Sequence, residues 1–293
     1  MKNKLLLSVI VALLAIIICI PIWILIVQAV CPPEDARNIS LFLQPVRLIT
    51  TPDLQQFRTM IARHPDTWKY LSRDILYCAV SALVQCFIAN LGGFLLAKYH
   101  GLFLKWLTTL YACSLLIPLQ LYLIPAHQTI REIGWNESSV LMYFTVAFSP
   151  FGALMMRQVY RQVLPDEWIE LFRMEDGRFG QLCRIVVFPA GFPASCVLYL
   201  ISFAEGWNMI EQPLYLISDT RLHPIAFRLY NLYISEPDVI CSAAMLALIP
   251  IPLLILIILW LAFRPAFSIE KHRFRGPYSC EASAAWEWIQ SRD

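Results

Sequence analysis

The residues best suited to a specific chemical role lie in one charged segment of an otherwise apolar chain, residues 165–189, PDEWIELFRMEDGRFGQLCRIVVFP. It is the only long, charge-dense and amphipathic stretch between strongly apolar runs. The pattern predicts two short helices that meet near Gly177, the second running from Phe179 to Pro189. Aromatic side chains beside charges anchor protein interfaces, so the segment is predicted to be an exposed binding element.

The first half of this segment has the features of a short amphipathic helix. Pro165 suits the first turn, and the two acidic residues after it suit the positive end of the helix. Trp168, Leu171 and Phe172 then fall on one face at three- and four-residue spacing, and Gly177 can end the helix. Such a stripe fits the groove of a protein partner. It fits a helix lying on lipid headgroups equally well, so both interpretations stay open.

Polar side chains inside the apolar runs form a second group of candidates. They are Ser81, Gln85 and Asn90 in one run and Gln120 in the next. Ser81 and Gln85 are four residues apart and share a helix face. These residues either line a solute path or hold neighbouring helices together by hydrogen bonds, and the second role is the commoner one in membrane helices.

Motifs of enzyme chemistry are missing from the sequence. It contains neither H-E-x-x-H nor G-x-S-x-G, its five histidines are scattered, and no C-x-x-C pair occurs. It also lacks G-x-x-x-x-G-K-[ST], so the chain cannot itself cradle a nucleotide phosphate. We therefore expect neither a catalytic site nor a metal or cofactor bound by this chain. The net charge of +2 does not indicate a nucleic-acid partner.

The candidate residues are separated by apolar runs that predict an all-α membrane protein. The chain is 58% hydrophobic and only 15% charged. Segments of roughly 20 residues without charge can cross a bilayer core of about 30 Å, and in lipid they must be helical. Prolines at positions 150, 189 and 193 are expected to interrupt the fourth and fifth segments. The six predicted transmembrane segments are Leu5–Val30, Ile75–Ala97, Trp106–Ala126, Ser138–Met156, Ile185–Ala204 and Val239–Phe263.

The distribution of basic residues predicts that both termini lie in the cytoplasm. The loop at 157–184 carries five Arg, and the tail after Phe263 is also basic. The loops at 127–137 and 205–238 carry one and two Arg. Basic residues accumulate on the cytoplasmic side of short loops. The loop at 31–74 has six basic residues yet must lie outside, but long loops follow this rule poorly.

The charged segment resembles the coupling loop of the inner-membrane permease subunits of binding-protein-dependent ABC importers. That loop has Glu-Ala-Ala, three residues, Gly, nine residues and Ile-x-Leu-Pro. Glu170 takes the Glu position, Asp176 the Gly position and Val186 the Ile position, with Pro189 at the end. Further marks resemble the carbohydrate branch, the maltose-type second permease subunit: Ile117-Pro118, Ile124-Pro125, FSPFG at 148–152, Pro165, Glu175-Asp176-Gly177, Trp207-Asn208 and Pro213-Leu214.

The resemblance implies a multi-pass permease subunit of the bacterial inner or plasma membrane that imports sugars or oligosaccharides by alternating access. The implied partners are a second homologous permease, an ABC ATPase dimer that uses ATP and Mg, and an extracytoplasmic solute-binding protein. The segment between helices 4 and 5 becomes the coupling helix. Glu170 is then expected to make a polar contact with the ATPase, while Trp168, Leu171 and Phe172 fill its groove and Gly177 allows the turn.

Two departures from the family pattern keep other functions open. Leu171-Phe172 replaces Ala-Ala, and Asp176 replaces the Gly, with Gly177 one place later. A permease-like scaffold that transports nothing or couples poorly is one alternative. An ATP-independent secondary transporter is another, although the charge-free segments disfavour ion coupling. The permease domain is predicted to span residues 1–275, with the closest resemblance at 70–265, and a polar tail follows at 276–293.

Overall fold

The apolar runs fold as helices, which satisfy every interior backbone hydrogen bond within the segment. The computed structural model describes residues 2–30, 54–134, 139–174, 178–217 and 219–236, together with helical positions scattered between 243 and 257. The chain divides into two units, Met1–Leu253 and Leu254–Asp293. All regular structure among the described residues is helical.

Eleven helices are described in the first unit, in addition to a 3-10 turn at Thr220–Leu222. They are α1 Lys2–Val30, α2 Gln55–Arg63, α3 Thr67–Lys98, α4 Leu102–Ser114, α5 Leu119–Glu132, α6 Ser139–Ala147, α7 Pro150–Val163, α8 Asp166–Met174, α9 Phe179–Trp207, α10 Glu211–Leu216 and α11 Ile225–Ser235.

Three of the described helices are long and apolar enough to cross a membrane: Leu13–Val30 within α1, all of α3 and all of α9. An all-α fold is therefore confirmed for the described residues, with three candidate membrane-spanning helices. The full set of six spans and the cytoplasmic termini stay predictions. The sixth predicted segment, Val239–Phe263, and the tail at 276–293 lie largely or wholly outside the described residues.

The third predicted segment is not one continuous helix, whereas the interruption expected at Pro150 in the fourth segment is confirmed. α4 ends at Ser114 and α5 begins at Leu119, because Pro118 has no N–H to continue the ladder and disfavours helical geometry in the residue before it. In the same way α6 ends at Ala147 and Pro150 opens α7. Each proline occupies the first turn of a new helix or the position just before it, where its missing N–H costs little.

The fifth predicted segment lies within α9, but the interruption expected there is wrong, because α9 continues through Pro189 and Pro193. The chain widens into a π turn at Cys183–Val187, immediately before Pro189. A wider turn relieves the clash between a proline ring and the carbonyl four residues earlier. The predicted short helix at 179–189 is consequently the first part of α9.

α3 lies at the centre of the first unit and packs against α6, α7 and α9. Its crossing with α7 is close enough that a Cβ on Gly93 would lie 2.5 Å from the Cβ of Met156. The core around this crossing contains Phe94, Met156, Tyr160 and Leu198, all buried. This packing joins α3, α7 and α9 in one core.

Candidate functional site: the α8 surface and the buried polar network

The short helix predicted in the charged segment is present as α8, joined to α7 by Leu164 and Pro165. Asp166 and Glu167 occupy its first turn, where negative charge suits the helix dipole. Leu164 and Ile169 are buried in the bundle core. The short helix is therefore attached to the rest of the protein by an apolar inner face.

Phe172 belongs to this inner face, because it packs, half-buried, against the core cluster that holds Phe94 and Tyr160. The sequence predicted that Phe172 fills the groove of a partner, whereas in the structure its side chain packs partly against the core of this chain. Ile169 was not among the sequence candidates, although it is the most deeply buried of the described side chains of α8. Its spacing of three from Phe172 is the signal that could have identified it.

The outer face of α8 is exposed and carries the groups that a partner could contact. Trp168 is 43% exposed and Met174 is 82% exposed. Glu170 also lies on the surface. Leu171 lies in α8, but its side chain is outside the described part of the chain, as are Asp176 and Gly177 altogether. Pro189 is exposed within α9, distant in sequence from this face.

An ion pair fixes the beginning of α8 to the end of α3. Lys98 Nζ donates to Asp166 Oδ1 at 2.7 Å, with the Lys98 side chain 6% exposed and that of Asp166 70% exposed. The hydrogen bond from Lys98 and its positive charge lower the pKa of Asp166. Arg157 in α7 donates from Nε to the Leu96 carbonyl at 3.2 Å. Both cations suit the negative C-terminal end of α3.

A buried polar network connects α3, α7 and α9 behind this attachment. The Tyr160 hydroxyl donates to Asn90 Oδ1 at 2.5 Å and lies 3.1 Å from the Val187 carbonyl oxygen. Asn90 Nδ2 donates to Ser195 Oγ at 2.8 Å, and Ser195 Oγ donates to the Gly191 carbonyl at 2.9 Å. Buried side chains that satisfy one another in this way hold helices in a single register.

Gln85 repairs the interruption between α6 and α7. Its Nε2 donates to the Ser149 carbonyl at 3.0 Å, and its Oε1 accepts from the Ser149 N–H at 3.1 Å. The side-chain amide thus bonds both backbone groups of Ser149 at the break, where the Ser149 N–H also lies 3.2 Å from the Val146 carbonyl oxygen. Ser81 is also buried, and its hydroxyl donates within α3 to the Cys78 carbonyl at 3.0 Å.

The four candidates for a solute path are consequently not brought together. Ser81, Gln85 and Asn90 are buried among helices and bonded there. Gln120 is exposed at the start of α5 and donates to Glu211 Oε2 at 2.8 Å. The first three have the helix-stabilising contacts of the alternative interpretation. A path-lining role stays a prediction for all four.

Comparison with known proteins finds transport permeases among the relatives of this chain. No family model matches the chain. Its relatives include an sn-glycerol-3-phosphate transport system permease protein, UgpE, of Shigella dysenteriae, 21% identical over 201 residues, which are 67% of this chain and 71% of UgpE. The melibiose/raffinose/stachyose import permease protein MelC of Bacillus subtilis is 20% identical over 192 residues, 64% and 68% of the two chains.

The chain is a homologue of import permeases. The resemblance to carbohydrate ABC permeases, drawn from the motifs, is confirmed. A chain in the crystal structure of a bacterial ABC transporter involved in alginate import has the same fold, with a TM-score of 0.71 and 14% identity over 88% of this chain and 95% of that one. Among the described residues, no three His, Cys, Asp or Glu side chains lie together in a way that could hold a metal ion.

Proposed function

We propose that this chain is a membrane-spanning permease subunit of an ATP-driven ABC importer in the bacterial inner or plasma membrane. It pairs with a second, homologous permease subunit, and an ABC ATPase dimer drives both. An extracytoplasmic solute-binding protein delivers sugars or oligosaccharides, the solute class named for MelC. ATP and Mg belong to the ATPase, and the permease chain has no catalytic step of its own.

The observation that carries this proposal is the two-sided structure of α8 in a homologue of import permeases. The inner face is held by Ile169, Phe172 and the Lys98–Asp166 pair. The outer face leaves Trp168 exposed, and large aromatic residues are the commonest anchors of protein interfaces. A helix attached on one side and open on the other is what a coupling element requires.

Movement of α8 reaches the membrane through the Lys98–Asp166 pair and the apolar contacts of Ile169 and Phe172. The Lys98–Asp166 pair joins α8 to the end of α3, and α3 is long enough to cross the bilayer. The Asn90–Tyr160–Ser195 network then links α3 to α7 and α9. ATPase closure that displaces α8 therefore moves the bundle as a body, which is the rigid-body motion that alternating access needs.

The experiment is co-purification of the ATPase with the full chain and its variants. Trp168→Ala and Glu170→Arg are expected to weaken association, with the loss of an aromatic anchor costing about 2 kcal/mol, or roughly a 30-fold increase in Kd. Tyr233→Ala is the matched control, because Tyr233 is an exposed aromatic residue on the distant helix α11.

Both variants must keep the melting temperature of the parent, since neither side chain is buried. Phe172→Ala is treated separately, because it also removes packing from the core of the chain. If the Trp168 and Glu170 variants retain the ATPase as well as the Tyr233 variant does, α8 is not the coupling element.

A further inference from the structure

A buried carboxylate near the beginning of α3 holds the first residue of α11. Asp74 is 1% exposed, and its Oδ2 accepts a hydrogen bond from the Ile225 N–H at 2.6 Å. Its Oδ1 accepts a hydrogen bond from Arg73 Nε at 3.0 Å, so the buried negative charge has a cationic partner. A buried charge is costly unless it is paired and hydrogen-bonded in this way. Asp74 therefore joins α3 to α11 at one defined position.

Arg73 and Arg228 fix the backbone of the turn at 219–225, which precedes α11. Arg73 donates from Nη1 to the Arg221 carbonyl at 2.9 Å and from Nη2 to the His223 carbonyl at 2.8 Å. Arg228 in α11 donates from Nε to the same His223 carbonyl at 3.1 Å. Its guanidinium lies 3.4 Å from the centre of the Tyr70 ring in α3, a cation–π contact. These hydrogen bonds go to backbone atoms, so they determine where the turn lies relative to α3.

The opposite end of α3 carries the ion pair with α8. Lys98 is 24 residues beyond Asp74 in one uninterrupted helix, about 36 Å along its axis. That distance exceeds a bilayer core of about 30 Å. α3 thus bonds α8 through Lys98 and Asp166 at one end, and bonds α11 through Asp74 at the other.

A second attachment of α11 is more exposed and does not involve α3. Arg63 of α2 donates from Nη1 to Glu236 Oε2 at 3.1 Å, with the two side chains 48% and 29% exposed. Exposed ion pairs contribute little to stability, whereas breaking a buried one is strongly destabilising. The Arg63–Glu236 pair therefore offers a matched comparison for the buried cluster at Asp74.

We propose that Arg73 and Asp74 are positioning residues that couple α11 to α8 through α3, so that displacement of α8 by the ATPase also displaces the turn at 219–225 and α11. The inference rests on the proposed function. It adds the helix that responds to the ATPase at the opposite end of α3, and the two side chains that make it respond.

The test is hydrogen exchange, measured by mass spectrometry, of the chain in complex with its ATPase in lipid nanodiscs. Exchange is compared with and without the non-hydrolysable nucleotide AMP-PNP, and it is read in peptides that cover α8 and α11. In the parent complex we expect AMP-PNP to change the exchange rate in both peptides, by at least about threefold.

Two variants break the connection at Asp74 from opposite sides. Asp74→Ala removes the acceptor, and Ile225→Pro removes the donor without changing any charge, at a first helical position that suits proline. In both we expect the α8 peptide to keep its response to AMP-PNP and the α11 peptide to lose it. Asp74→Asn, which keeps an acceptor oxygen, and Arg63→Ala, which removes only the exposed ion pair, are expected to keep both responses.

Two results overturn the inference. One is an α8 peptide that responds to AMP-PNP in the parent complex while the α11 peptide does not. The other is an α11 response that survives in Ile225→Pro or in Asp74→Ala, and Ile225→Pro decides the matter if the alanine variant does not assemble. Failure of the proposed function has a different signature: no ATPase co-purifies, or AMP-PNP leaves the α8 peptide unchanged, and the inference then falls with it.

Discussion

Replacing Gly191 by alanine is expected to destabilise the bundle by disrupting the polar network between α3, α7 and α9. A Cβ at Gly191 would overlap the Tyr160 hydroxyl and lie 2.6 Å from Asn90 Oδ1. The Tyr160–Asn90 hydrogen bond occupies the space that the new methyl group needs. One of the two side chains must move, and neither can do so without losing a buried partner.

The magnitude is the sum of three effects. A buried polar group that loses its partner costs about 1–3 kcal/mol, and an added methyl group in a filled core costs a further ~1–3 kcal/mol. Alanine in place of glycine inside a helix raises the free energy of unfolding by about 1 kcal/mol, which offsets part of this loss. We therefore expect a net loss of about 3 kcal/mol in the free energy of unfolding.

The assay is thermal or denaturant unfolding of the purified chain in detergent micelles, measured by tryptophan fluorescence. Gly180→Ala is the matched control, because Gly180 is also in α9 but a Cβ there meets nothing within 4 Å. The control is expected to be as stable as the parent or slightly more so.

A second variant separates the stated cause from general damage to α9. Tyr160→Phe removes the hydroxyl that the new methyl group would strike. In the Gly191→Ala background it is expected to recover at least about 1 kcal/mol relative to the sum of the single effects. Equal stability of the Gly191 and Gly180 variants, or strict additivity with Tyr160→Phe, would show that the clash at Gly191 is not the cause.

Two further predictions concern polar side chains that satisfy backbone groups. Gln85→Leu removes both hydrogen bonds to Ser149 and is expected to lower the free energy of unfolding by roughly 2–4 kcal/mol in the same assay. Gln128→Leu, on the exposed surface of α5, is the control and is expected to leave the free energy of unfolding nearly unchanged. Asp74→Ala removes the buried carboxylate that accepts a hydrogen bond from the Ile225 N–H at 2.6 Å, so hydrogen exchange of the Ile225 amide is expected to accelerate. Asp74→Asn keeps an acceptor oxygen and is expected to preserve the protection of that amide. Unchanged exchange in the alanine variant would contradict the prediction.

The sequence was sufficient to predict those helices whose formation depends on one dominant physical effect. Long charge-free runs predicted α1, α3 and α9, because backbone polar groups in lipid leave no alternative to a helix. The acidic start and the amphipathic pattern predicted α8 as a separate short helix. The homology to import permeases was also visible in the order and spacing of the motifs.

The sequence was insufficient where the outcome depends on distant residues. Pro118 and Pro150 interrupt their segments, whereas α9 continues through Pro189 because a π turn precedes it. The residues next to each proline in the sequence do not show which proline ends a helix and which lies within one. Similarly, Ile169 and Phe172 face inward because they pack into the core cluster that also contains Phe94 and Leu182. That cluster is assembled from residues far apart in the chain, so the stripe alone did not show which part of it remains exposed.

Photo-crosslinking from position 168 in intact membranes tests most directly whether α8 binds the ATPase. A photoreactive amino acid replaces Trp168 in the full chain, and a second sample carries it at Tyr233 as the control. We expect an adduct with the ATPase subunit from position 168 and none from position 233. Adducts with lipid alone, or modification of position 168 by a reagent confined to the outside of the cell, would show that α8 is not the ATPase-binding helix.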